Sequence, residues 1–180
     1  MSQVISALNR DHVNMTKLLE LIESEILAIE VGKTPDYPLM QDIMRYMAQY
    51  SDRFHHPKED LIFAQLLKRD PEVRADVEEI IEEHVSIGLA GQEFSGLLGA
   101  SGIDSVDIRE QLGIAGFAYI RALRKHMSRE ERKLFPLAQE VLTEKEWRVI
   151  DDAVNAIDDP LFDEMTADDY QRLYRLITNQ

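Results

Sequence analysis

Two histidine–glutamate pairs have the spacing that one face of a helix needs to bind metal. His55 is followed by Glu59, and His126 by Glu130, one helical turn later in each case. Side chains four residues apart project from the same side of an α-helix, so each pair can reach one metal ion or two adjacent ones. The sequence therefore indicates His/Glu metal chemistry.

The same unit occurs twice along the chain. A lone histidine, His12, precedes His55 by 43 positions, and another, His84, precedes His126 by 42. An acidic residue stands directly before each lone histidine. This duplication predicts two similar helix pairs around a two-metal site, an arrangement that four-helix bundles support.

All four of these histidines fall on predicted apolar faces, each on a different helix. His12, for example, shares its helical stripe with Ile5, Leu8 and Met15. A single buried histidine is commonly just a hydrogen-bonded core residue, but four in duplicated register favour a shared site. The candidate metal ligands are His12, His55, Glu59, His84, His126 and Glu130.

The fifth histidine, His56, offers a rival register because Asp60 follows it at the same spacing. Its helical stripe contains Arg45 and Gln49, which predicts a largely wet face. The apolar-face argument therefore favours His55 and Glu59, and we expect His56 to be a surface group or to lie just behind the ligands.

Burial of Glu59 and Glu130 in a bundle core requires compensation for their charge. An unpaired buried carboxylate costs several kcal/mol, and Lys133 is the only basic residue close to the predicted stripes. Buried cations would supply the missing charge. Imidazole and carboxylate ligands suit iron, manganese or zinc without choosing among them.

Composition narrows the functional classes. The 180 residues include 34 acidic and 20 basic ones, a net charge of −14, so we expect no nucleic-acid or membrane partner. There is no cysteine, which excludes disulfides and thiolate metal sites. The N-terminus lacks signal-peptide features, and no apolar run reaches about 18 residues, so we expect a cytoplasmic protein.

Helical periodicity predicts an all-α protein. Long helices are expected over about residues 4–31, 39–68, 71–98 and 105–142, with a glycine-rich loop at 96–102. Short connections predict an antiparallel up-and-down four-helix bundle over residues 1–142. Residues 143–180 should form a short C-terminal helical extension packed on the bundle, with helices starting at Thr143 and Thr166 and Trp147 as anchor. Pro57 should kink the second helix.

The ordered pattern of these six positions resembles the hemerythrin-like HHE cation-binding domains, over about residues 4–142. The resemblance implies a non-haem di-iron centre with His12, His55, His84 and His126 as terminal ligands. It also implies that Glu59 and Glu130 bridge the irons. Oxygen-carrying members have a further histidine where this chain has Gly88, so the sequence is closer to the broader HHE group.

The resemblance implies two non-haem iron ions that bind or react with oxygen, peroxide or nitric oxide. Sensing, detoxification, iron handling and repair of iron centres are the corresponding roles, and a redox protein and a second copy of the chain are candidate partners. Two alternatives stay open: a metal-stabilised protein-interaction module without redox activity, and a metal-free helical adaptor.

Overall fold

The computed structural model describes residues 2–50 and 54–154, together with residues 173, 175 and 176. Throughout these residues the regular secondary structure is helical, which confirms the all-α prediction. The helices are α1 (Gln3–Glu30), α2 (Tyr37–Tyr50), α3 (His56–Arg69), α4 (Arg74–Leu98), α5 (Val106–Arg129), α6 (Phe135–Val141) and α7 (Glu144–Val154). None of them is long and apolar enough to cross a lipid bilayer.

Four passes of the chain form the bundle. The first pass is α1, the second is α2 with α3, the third is α4, and the fourth is α5 with α6. The connections are short: α1 ends at a turn in which Gly32 adopts φ +75°, a conformation that glycine adopts without steric cost. The side chain of Ser105 caps α5 by accepting from the backbone N–H of Ile108, as expected for a helix start.

The bundle interior contains two apolar clusters. The first apolar cluster contains Met15, Met44, Phe94 and Leu123 among others, and the second contains Leu8, Ile62, Ile80 and Phe135 among others. Along each pass the chain leaves one cluster and enters the other, and the predicted ligands occupy the interval. A polar layer therefore crosses the middle of the bundle.

The second pass is not regular α-helix at every described residue, although we predicted one helix over residues 39–68. The last described residue of α2 is Tyr50, the backbone at Phe54 and His55 is π-helical, and α3 begins at His56. Pro57 lies in the first turn of α3, directly after this π-helical stretch. The kink at Pro57 stays a prediction, because residues 51–53 lie outside the described part of the chain.

The fourth pass is also interrupted, although the sequence predicted one helix to Leu142. A π-helical turn, Glu130–Leu134, separates α5 from α6. The predicted glycine-rich loop also begins later than expected, because α4 continues through Gly96 to Leu98. Both breaks in the bundle helices occur next to the predicted ligands, which is a common position for π-helical turns.

The start of the C-terminal extension agrees with the sequence. Helix α7 begins after Thr143, and Trp147 packs against the second apolar cluster while Ile150 is buried there. Leu173 is buried in the first apolar cluster. The predicted helix end at residues 158–160 and the predicted helix start at Thr166 lie outside the described residues.

Candidate metal centre

The polar layer brings all six predicted side chains together. Their metal-binding atoms form two groups, each with its atoms within 4.8 Å of one another. The first group is His12, His55, Glu59 and Glu130, and the second group is His56, Glu59, His84 and His126. Glu59 belongs to both groups, so its carboxylate lies where a bridge between two metal ions would be needed.

The first group is completely buried. The Nε2 atoms of His12 and His55 are 3.0 Å apart, and His55 Nε2 lies 3.0 Å from Glu59 Oε1. His12 Nε2 also lies 3.5 Å from Glu130 Oε2. Two imidazoles and two carboxylates from three passes of the bundle therefore face one another at short range.

The second group repeats this arrangement on the other side of Glu59. The Nε2 atoms of His84 and His126 are 3.2 Å apart, and His84 Nε2 lies 3.5 Å from Glu59 Oε2. Glu130 Oε2 is 3.4 Å from His126 Nε2, so Glu130 also faces both groups. The repeat seen in the sequence thus corresponds to two similar histidine pairs, one on each side of Glu59.

The buried carboxylates provide a test of whether a cation fits. Glu59 and Glu130 are both 0% exposed, and none of their four oxygens has a well-aligned hydrogen-bond donor within the described chain. Only imidazoles form close charge contacts with them there, and Lys133 instead pairs with Asp76 at 2.6 Å. Buried acceptors without donors are costly unless a cation satisfies them, so this donor set fits a bound metal.

The two glutamates differ in pKa. Burial alone would raise the pKa of Glu59, but His55, together with contacts from His12 and His84, holds it well below the ordinary value. Burial raises the pKa of Glu130 well above its ordinary value, and the neighbouring Glu59 carboxylate raises it further. Two carboxylates buried this close together repel each other, so ionisation of both requires added positive charge.

Acidic side chains behind the imidazoles orient them. Asp11 Oδ2 lies 3.4 Å from His55 Nδ1, and Glu83 Oε2 lies 3.4 Å from His126 Nδ1. A carboxylate only accepts, so in each pair Nδ1 is the donor and Nε2 is directed to the centre. Asp11 and Glu83 each precede a lone histidine in sequence. Each thus orients a histidine on a neighbouring pass, Asp11 orienting His55 and Glu83 orienting His126.

His12 is oriented by a different acid. Its Nδ1 lies 2.9 Å from Oε1 of Glu131, and this contact lowers the pKa of Glu131. The His12 ring also stacks on Phe135, with ring centroids 5.8 Å apart. One residue inside the π-helical turn and one directly after it therefore hold this imidazole.

The histidines have different pKa values because their neighbours differ. Burial alone would lower the pKa of His55, but Glu59 and Asp11 raise it to about 9. Burial lowers the pKa of His126 to about 4 despite the nearby Glu59, and repulsion from His84 contributes. Burial likewise lowers the pKa of His56 to about 3, again with repulsion from His84. His56 and His126 are thus neutral near pH 7, the form in which imidazole binds metal.

The structure differs from the sequence prediction at two histidines. His56 is half-buried against the centre, where its ring stacks on His84 with centroids 3.8 Å apart, so the surface alternative for His56 is wrong. His84 itself is 12% exposed, and Ile81 on its predicted apolar stripe is 46% exposed. The stripe through His56 was drawn with α-helical periodicity, which does not hold at the π-helical residues 54 and 55.

A pocket of about 340 Å³ adjoins the second group. Its lining includes His56, His84, Met44, Gly91 and Tyr119. A larger and more open depression of about 460 Å³ lies elsewhere, between α1 and α5, and its described lining contains no histidine. The pocket at the second group can thus bring a small molecule next to the polar layer.

Fold and site together define a class: a helical bundle whose central His/Glu cluster can hold metal. The family model of the hemerythrin HHE cation-binding domain matches residues 3–138, and the chain belongs to this family. Neither the curated proteins nor the solved structures include a significant match to the chain. The resemblance noted from the six spaced residues is therefore confirmed at the level of the family.

Proposed function

We propose that this protein is a non-haem di-iron protein whose centre binds or reacts with a small ligand. His12 and His55 would hold one iron, His84 and His126 the other, and Glu59 and Glu130 would lie between them. The observation that carries the proposal is the pair of fully buried glutamates whose four oxygens lack aligned donors in the described chain. Iron is chosen over manganese or zinc because membership of the hemerythrin family favours it.

The pocket beside the second group supports a small ligand. Its volume of about 340 Å³ is ample for oxygen, peroxide or nitric oxide, and Met44, Ile87 and Tyr119 contribute to its lining. Asp11 and Glu83 keep the imidazoles of His55 and His126 in a fixed orientation. When bound, the irons would supply electrons and open coordination positions.

Sensing, detoxification, iron handling and repair of iron centres all fit such a centre. The alternative is a metal-stabilised module that recruits a protein and has no redox activity. Exposed apolar side chains on α4 favour it, since Val85 and Leu89 are each more than 60% exposed in this chain.

The test is an anaerobic titration of metal-free protein with Fe²⁺, followed by addition of oxygen, peroxide or nitric oxide. We expect two irons per chain and a visible absorption that changes on adding at least one of these ligands. His126→Ala and Glu130→Ala should lower the iron content sharply. Glu79→Gln, which removes a half-exposed carboxylate that pairs with Arg129, is the matched control and should bind two irons.

Tightly held iron that responds to none of the three ligands would support the interaction module instead. Failure to bind iron, or full iron content in His126→Ala, would contradict the proposed centre itself.

A further inference from the structure

The pseudo-two-fold repeat of the centre is broken at one position. His55 and His126 correspond in the two halves, so the residue that corresponds to His56 is Met127. Met127 is 5% exposed and packs in the first apolar cluster, whereas His56 lies in the second metal-binding group. The second half of the chain thus contributes no equivalent of His56.

The local backbone explains how two adjacent histidines face the same interior. Consecutive side chains of a regular α-helix diverge by about 100°. At Phe54 and His55 the backbone is π-helical, and regular helix begins only at His56. As a result the rings of His55 and His56 lie close together, with centroids 5.9 Å apart, and each belongs to one of the two groups.

The His56 ring contacts both histidines of the second group. Its ring lies nearly parallel to that of His84, at an angle of 17° and a centroid distance of 3.8 Å. It also meets His126 edge-on at 6.3 Å. One of its nitrogens lies within 4.8 Å of the donor atoms of Glu59, His84 and His126, which is the distance range for ligands of one ion.

We propose that His56 is a third imidazole ligand of the metal in the second group. This inference rests on the proposed metal centre. The second metal would then have His56, His84 and His126, and the first would have His12 and His55, with Glu59 and Glu130 between the two. The two positions would differ in their number of imidazole ligands, three at the second and two at the first.

The decisive variant is His56→Phe. Phenylalanine keeps an aromatic ring that can stack on His84 but has no nitrogen donor. The variant therefore distinguishes a metal-binding role of His56 from a role in packing against His84 alone. His56→Gln is a second variant without an aromatic ring. His56→Gly, with imidazole added to the solution, tests whether a detached imidazole can replace the side chain.

The measurement is an anaerobic titration with ⁵⁷Fe²⁺ against a competing chelator, with Mössbauer spectra of the loaded proteins. Wild-type protein should bind two irons with distinct quadrupole doublets. In His56→Phe and His56→Gln one iron should bind at least about tenfold more weakly, and the doublet of the other should persist. Added imidazole should restore the weakened iron in His56→Gly.

Unchanged affinity for both irons in His56→Phe, with unchanged doublets, would overturn the inference. Circular dichroism of the metal-free variants shows which are folded, and any one folded variant decides the question. Failure of the centre itself has a different signature, since wild-type protein would then bind no iron or His126→Ala would keep both.

Discussion

Asp11 and Glu83 show how single residues prepare the polar layer. Each precedes a histidine in sequence, yet each contacts the histidine of a neighbouring pass, with a distance of 3.4 Å in both cases. A carboxylate behind an imidazole fixes the ring and selects the nitrogen that faces the centre. The repeated acid–histidine dipeptide therefore has a physical role in addition to marking the duplication.

Asp11→Asn should weaken iron binding by about 10–100-fold while leaving the fold intact, because the amide cannot hold the His55 imidazole as the carboxylate does. Competition with a chelator measures this change. Asp42→Asn is the matched control, since Asp42 pairs with Arg45 at the surface. Equal affinity in wild type and Asp11→Asn would show that Asp11 does not position a ligand.

For individual residues, the sequence was sufficient to predict which side chains come together wherever the helix is regular. Glu59 follows His55 within one turn, and the structure places the two side chains 3.0 Å apart. The same reasoning failed for His56, because a stripe drawn through α2 cannot continue through a π-helical turn into α3.

Among the helices, close approach at one glycine governs how α5 packs. A Cβ at Gly116 would overlap the Ile26 side chain and lie 2.9 Å from Phe94 Cε2. At Gly113, one turn earlier, the nearest atom would be Ile26 Cγ2 at 3.8 Å, an ordinary contact. Alanine at Gly116 would test the close packing of α5, whereas alanine at Gly113 would test helix propensity alone.

Gly116→Ala should lower the free energy of unfolding by about 1–3 kcal/mol through overpacking. Gly113→Ala should raise it by about 0.5–1 kcal/mol, because alanine loses less backbone entropy in a helix. Denaturant unfolding of both metal-free variants measures the difference. Equal effects of the two substitutions would mean that α5 does not approach α1 and α4 as closely as described.

The start of α7 is fixed by reciprocal capping between Thr143 and Glu146. The backbone N–H of Thr143 donates to Glu146 Oε2 at 2.8 Å, and the Glu146 N–H donates to Thr143 Oγ1 at 3.5 Å. The hydrogen bonds from Thr143 lower the pKa of Glu146. This capping box was predictable because it depends on four consecutive residues only.

Glu146→Gln should change the pH dependence of α7 docking. Because the folded-state pKa of Glu146 lies below its ordinary value of 4.5, ionised Glu146 stabilises the fold above pH 4.5. That contribution is lost as the pH falls through the folded-state pKa, and Glu146→Gln should lack this loss. Fluorescence of Trp147, the single tryptophan, reports the docking.

Thr143→Ala removes the other side of the same cap, including the Oγ1 hydrogen bond to Glu146 Oε2 that lowers the pKa of Glu146. It should lower the melting midpoint seen by Trp147 by about 2–4 °C near neutral pH. An identical acid-side response of wild type and Glu146→Gln would contradict the assigned role of Glu146.

The interruptions of the second and fourth passes could not be predicted in the same way. A π-helical turn has poor local energetics and persists where tertiary contacts hold it. Here the contacts involve His12, which reaches Glu131 inside the fourth-pass turn from a position 119 residues away. Local periodicity contains no information about such a partner.

The whole molecule consists of two apolar clusters separated by a polar layer. Side chains on all four passes meet in that layer, so a metal bound there would join every pass of the bundle. Ligands that bind only the folded state stabilise it by mass action, by about 4 kcal/mol at a thousand times Kd.

Removal of iron by a chelator should therefore lower the melting temperature of the wild-type protein. The melting temperature of His126→Ala should respond much less, because this variant lacks a ligand. Calorimetry of both proteins with and without chelator measures the effect. An equal response of the two proteins would place the stabilising metal elsewhere.

The most direct test of the account is anomalous diffraction at the iron absorption edge from crystals of iron-loaded protein. We predict two peaks in the polar layer, with one beside His12 and His55, the other beside His84 and His126, and Glu59 between them. Absence of peaks among these side chains, or iron bound only at other places on the protein, would contradict the central claim.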